Sequence, residues 1–145
     1  MRTFTTSIDV AAPPSRVYSV MIDIDRWPEW TRSVSSVKRL GDKPFDVGTK
    51  VLVRQPKLPP AVWKVSAMEP NRSFTWIGGG PGIHVTAKHS VEPAPGGSRV
   101  TLYLEYRGLI GDFFAKITER ITRTYMNYEA QGLKSRSEDP SFLAR

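Results

Sequence analysis

The chain has 145 residues, 39% of them hydrophobic, and carries 21 lysines and arginines against 14 acidic residues, a formal charge of +7. This is the size and apolar share of one globular domain, able to bury roughly two thirds of the surface that its unfolded chain exposes. With no cysteine and only His84 and His89 to supply imidazole, disulfides, thiolate metal sites and a cysteine nucleophile are excluded, and neither a metal nor a cofactor is expected.

No apolar run approaches the ~20 residues needed to span a bilayer, and Met1-Arg2-Thr3-Phe4 opens no secretory apolar region. A cytoplasmic location is the expectation. The basic residues are scattered, with no run longer than Lys38-Arg39, so no nucleic-acid partner is expected. The surplus charge reads either as a solvated surface or as weak attraction toward anionic ligands and lipid surfaces.

In chain order, Phe4, Thr6, Ile8 and Val10 alternate with polar residues and predict a first strand with one apolar face. Pro13 and Pro14 suit a helix start, and Val17, Val20, Met21 and Ile24 follow at helical spacing. Asp25 is placed to cap a second short helix, with Pro28 in its first turn and Trp27 and Trp30 on one side. Period-two patterning then predicts strands near 34–41, 49–55, 61–69, 72–78, 83–92 and 98–107. The turn signals between them include "GDKPFDVG", "PKLPP" and "GGGPG". Such short connections make an antiparallel meander. Its apolar face needs a cover, which is predicted to be one helix from Gly111 to about Arg136. That helix would span ~39 Å with Phe113, Phe114, Ile117, Ile121, Tyr125, Tyr128 and Gly132 turned inward. Residues 1–136 are expected to form a single ligand-binding domain, and 137–145 a frayed tail.

This order of elements resembles the helix-grip fold of the START-like (SRPBCC) superfamily, which includes polyketide cyclases, lipid-transfer proteins and the birch pollen allergen group. The likeness rests on "IDVAAPPSRVYSVMIDIDRWPEW" for the opening, "PPAVWKVSAMEPNRSFTW" for the middle hairpin and "AKHSVEPAPGGSRVTLYLEYRGLIGDFF" for the closing half. It implies an α+β fold: a curved antiparallel sheet of about seven strands wrapped around a long C-terminal helix, with two short helices after the first strand. It implies also a cavity between sheet and helix for a small hydrophobic or aromatic molecule, such as a lipid, isoprenoid or polyketide-like compound. The alternative it offers is a cofactor-independent cyclase, aromatase or dehydratase.

Alternation places Val53, Gln55, Trp63, Val65, Ala67 and Trp76 on the inner face, together with Val85, Ala87, His89, Leu102 and Leu104. Trp30, Ile117, Ile121, Tyr125 and Tyr128 would complete the lining, an apolar and aromatic composition usual for a small-molecule pocket. Trp27 and Trp30 read either as core anchors of the helix pair or as a plug at the cavity's end. His89 is the best candidate for a catalytic residue. It reads as a structural hydrogen-bonder, a ligand contact or a general acid/base, and Tyr125 and Tyr128 as packed rings or as phenols facing the ligand. No phosphate-binding loop, nucleophile elbow or inward carboxylate pair is predicted. "GGGPG" reads as a flexible hairpin that could gate the mouth, and Gly132 as a cavity floor. Exposed apolar "PKLPP" and "GLIG", with the net charge, suggest transient membrane-surface contact.

Overall fold

The computed structural model describes residues 1–143. Strand β1 (Arg2–Val10) leads into α1 (Pro14–Ile22), a 3-10 turn (Ile24–Arg26) and α2 (Trp27–Trp30). Six strands follow: β2 (Ser36–Leu40), β3 (Lys50–Arg54), β4 (Ala61–Glu69), β5 (Ser73–Gly80), β6 (Ile83–Ala94) and β7 (Gly97–Arg107). The chain then turns back as α3 (Leu109–Ile117), α4 (Glu119–Glu138) and the single turn α5 (Pro140–Leu143).

All strands join one antiparallel sheet in the order β1-β7-β6-β5-β4-β3-β2, so the meander runs from β2 to β7 and β1 pairs with its last strand. This is the expected α+β helix-grip architecture. Alternation decides which side chains go inside: on β7, Ser98, Val100, Leu102 and Tyr106 are buried, while Arg99 and Arg107 are exposed. One strand departs from the pattern. The β4–β5 register shifts between Val65 and Ala67, leaving Ser66 as the extra residue of a bulge. Beyond it the phase inverts, so Ala67, expected inside, is exposed and Met68 packs on the core instead.

The helical corner after β1 differs in detail from expectation. Asp25 caps nothing; its carboxylate takes the Arg39 guanidinium at 3.0 Å. The chain enters α2 directly from the 3-10 turn, and Trp27 donates its indole N–H to the Met21 carbonyl at 3.1 Å. That bond satisfies the one polar atom of an otherwise buried ring.

The predicted single long helix is two helices. At Thr118 (φ −105°, ψ 10°) the chain leaves helical geometry, and the Thr118 hydroxyl donates back to the Phe114 carbonyl at 2.7 Å. A threonine bonded in this way to the carbonyl four residues earlier bends a helix. The break turns the buried face of α4 onto Thr122, Met126, Ala130, Leu133 and Ser137, about one residue away from the stripe expected of a continuous helix.

The first positions of the segment expected to be a frayed tail are helical and packed. Ser137 is fully buried, and Glu138 accepts from the Ala11 amide at 2.7 Å and from Lys134 Nζ at 2.6 Å. Of the expected tail, 144 and 145 lie outside the described residues. The backbone N–H of Ala11, and then Lys134, hold the Glu138 carboxyl below the usual carboxylate range. A depressed carboxyl pKa contributes stability that is present above the unfolded value and lost as the pH falls through the folded one. In urea unfolding, wild type should therefore be more stable than Glu138→Gln at pH 6, and the difference should shrink as the pH falls below about 4.

Candidate functional site

Between the concave face of the sheet and α4 lies a cavity of about 100 Å³. An empty void of that size costs about 2 kcal/mol at ~24 cal/mol per Å³, which a domain stable by ~5–15 kcal/mol tolerates. Its walls come from five strands and loops that alternation predicts: Val53, Gln55, Trp63, Trp76, Ala87, His89, Leu102 and Leu104, with Tyr125 from α4.

Besides the exposed Ala67, six of the expected lining residues lie elsewhere. Val65 and Val85 are buried in the core outside the cavity wall. Ile117 is 63% exposed, because α3 turns its small residues Gly111 and Ala115, and not Ile117, toward the sheet. Ile121 is half-buried and outside the lining. Trp30 and Tyr128 line a separate surface cleft, where the Arg32 guanidinium sits 4.3 Å from the Tyr128 ring centre. Gly132 is no cavity floor either: it belongs to that cleft and packs against the backbone of Trp30.

The fold also brings in Trp27, Val34, Leu58, Tyr103, Thr122, Met126 and Glu129, and Tyr106 lines it in phase with Leu102 and Leu104 on β7. Trp27 thus forms part of the wall as well as anchoring α2. Its ring centre lies 5.5 Å from Trp30, 5.4 Å from Trp76 and 5.5 Å from His89. Trp63 stacks on Trp76 at 5.6 Å, so three indoles line one continuous apolar surface.

The polar feature of this surface is a pair. His89 on β6 lies flat on Phe74, with ring centres 4.2 Å apart and planes 5° from parallel. That stack and the edge contact with Trp76 fix the imidazole plane and aim Nε2 across the cavity at α4. There it stands 3.0 Å from Glu129 Oε1, the distance of an N–H donating to a carboxylate. The pair is well shielded, with 7% of the His89 side chain and 18% of that of Glu129 exposed. His89 Nδ1 is buried with no hydrogen-bond partner among the described residues. Glu129 escaped the sequence pattern because on a continuous helix the face that it shares with Met126, Ala130 and Leu133 is not the one turned inward. Tyr106, on the same wall, is pushed above the ordinary phenol range by burial, which a hydrogen bond with Thr122 partly offsets.

The β3–β4 loop forms one side of the cavity. Leu58 of that loop lines the cavity, and the Tyr125 hydroxyl donates to the Pro56 carbonyl, tying the loop to α4. The "GGGPG" turn is pinned too: the Gly82 carbonyl accepts from the Ile110 and Gly111 amides at 3.0 and 3.1 Å.

Known proteins place this architecture. The fold is shared with the Zhui aromatase/cyclase from Streptomyces sp. R1128, at 13% identity, TM-score 0.77, and 94% and 93% coverage of the two chains. Hypothetical protein jhp0584 from Helicobacter pylori matches at 13% identity and TM-score 0.79, covering 94% and 88%. Ara h 8.0201 matches at 15% identity and TM-score 0.69, covering 94% and 97%. At these identities the likeness extends to the fold alone. No curated protein sequence matches the chain. Residues 1–138 match the family described as polyketide cyclase / dehydrase and lipid transport, and the chain belongs to that family.

Proposed function

We propose that the cavity binds a small hydrophobic or aromatic molecule carrying one polar group, which meets the His89–Glu129 pair. The observation that carries this reading is a carboxylate and an imidazole set into a wall of three indoles and aliphatic side chains. A buried polar group in apolar surroundings is costly unless hydrogen-bonded, and few, convergent polar groups in an apolar pocket are what orient a ligand. Glu129 spends one oxygen on His89 and keeps a second acceptor for a ligand hydroxyl or amine. The space of about 100 Å³ is smaller than the ~150 Å³ apolar cavity that holds benzene, so a single ring or a short stretch of chain enters with a small outward shift of the lining. A longer lipid or isoprenoid requires the Leu58 loop to lift, which breaks the Tyr125–Pro56 hydrogen bond.

The same pair favours a second reading, in which His89 and Glu129 move a proton on the bound molecule, as a cyclase, aromatase or dehydratase requires. An imidazole within hydrogen-bond reach of a carboxylate is the arrangement that orients a general base. The Zhui neighbour is named an aromatase/cyclase.

A cavity-filling variant tests the binding reading. Ala87 lines the cavity between Trp76 and Leu104 on the neighbouring strands. Ala87→Leu is expected to leave stability unchanged or raise it by ~0.5–2 kcal/mol, and to abolish binding of p-cresol followed by NMR titration. Binding of p-cresol undiminished in a folded Ala87→Leu protein would place the ligand elsewhere.

A further inference from the structure

Helix α3 is built inside out for a helix that faces only water. Leu109 is 89% exposed, Ile110 55%, Phe113 64% and Ile117 63%, whereas its buried residues are Gly111 and Ala115. At 100° per residue the four large side chains fall within an arc of about 100°, and the two small ones lie on the opposite side. The small face lets α3 sit close on β6 and β7, and the Gly82 carbonyl fixes its first turn. The apolar face is therefore held outward by a firmly docked backbone. It also borders the cavity end of the molecule, since Phe114 of α3 packs 5.9 Å from Tyr106 in the cavity wall.

The charges around this face select its partner. Each nearby acid is already matched: Asp112 with the N-terminal ammonium at 3.0 Å, Glu119 with Arg123 at 3.3 Å, and Glu105 with Arg107 at 2.7 Å. Lys116 is exposed at the edge of the apolar arc and Arg120 is exposed in the first turn of α4, neither with an ion pair among the described residues. A second copy packed on this face would bring two more such cations to the rim and no free acid to meet them. Anionic headgroups meet them directly. An apolar arc flanked by cations is the pattern of a helix lying at a lipid–water boundary.

We propose that α3 docks on an anionic membrane surface, with Leu109, Ile110, Phe113 and Ile117 at the headgroup–acyl boundary and Lys116 and Arg120 against lipid phosphates. The proposal does not depend on the cavity being occupied.

Co-sedimentation of the full chain tests it, with vesicles of equal parts phosphatidylcholine and phosphatidylglycerol beside vesicles of phosphatidylcholine alone. Binding is expected on the mixed vesicles, weakened by salt as the Debye length falls to ~3 Å near 1 M. Lys116→Gln and Arg120→Gln should each weaken it about fivefold. Phe113→Ser with Ile117→Ser, both at exposed positions, should weaken it at least about tenfold while leaving the thermal melt and p-cresol binding unchanged. Absence of binding to the mixed vesicles overturns the proposal, and so does binding that the double serine variant retains in full. Concentration-dependent dimerisation that the double serine variant abolishes would assign the face to a second copy and overturn it as well.

Discussion

Gly132→Ala is expected to melt about 10 °C below wild type. At an exposed mid-helix position the same substitution would add ~1 kcal/mol of helix propensity. Here a Cβ would stand 1.8 Å from the Trp30 carbonyl oxygen, 2.8 Å from its carbonyl carbon and 2.9 Å from an atom of its ring. Two of those atoms are backbone, so no rotamer relieves the clash and α2 must move as a unit. That turn is held by the Thr31 amide on the Trp27 carbonyl at 3.0 Å and by Arg136 on Glu29 at 2.7 Å. Overpacking against such a fixed segment costs about 3 kcal/mol, which for a chain of this size converts to the stated shift at ~3–4 °C per kcal/mol. Because Trp27 begins the same turn and forms part of the cavity wall, the variant should also weaken p-cresol binding. Differential scanning calorimetry decides the sign: a melt at or above that of wild type means that α2 and α4 do not meet at Gly132.

That contact shows where sequence patterning stops. The alternation of Val100, Leu102 and Tyr106 is printed in the chain, as are Ala87 and His89 on β6, and these place much of the cavity's sheet wall without reference to anything distant. Gly132 is printed too, but a glycine on a helix is compatible with a cavity, a close helix crossing or a surface. Only the position of Trp30, a hundred residues earlier, chooses among them. The inverted phase after Ser66 is of the same kind, since a bulge leaves no residue signature when serine occupies it. Most consequential is Thr118. Phe113, Phe114, Ile117, Ile121 and Tyr125 make a consistent apolar stripe on a continuous helix, and that consistency concealed the break. Once the helix is cut there, Met126, Ala130 and Leu133 define the inner face of α4, and Glu129 falls beside them. The sheet half of the site was therefore legible and the helix half was rotated out of view, carrying with it the carboxylate that gives His89 its partner.

Substituting that pair separates recognition from stability. His89→Phe keeps a flat ring on Phe74 but strands the Glu129 carboxylate in the indole-lined wall, and should cost about 3 kcal/mol, the lower end for breaking a shielded pair because part of Glu129 still reaches solvent. Glu129→Met removes the polar contact of Nε2 and leaves both imidazole nitrogens without a protein partner, at about 2 kcal/mol. The double variant strands nothing. It puts apolar groups of similar shape where the imidazole and the carboxylate stood, and such replacements are neutral or stabilising as often as not. Its stability in urea should therefore return to within about 1 kcal/mol of wild type, a coupling of about 5 kcal/mol between the two sites. Binding should not return with it. Toluene, which has no polar group to satisfy, should bind the double variant as it binds wild type. p-Cresol should bind it about tenfold more weakly, its hydroxyl having lost the Glu129 oxygen. Equal retention of both probes would make the pair a structural tie between β6 and α4, and the recovered stability would then have no counterpart in ligand selectivity.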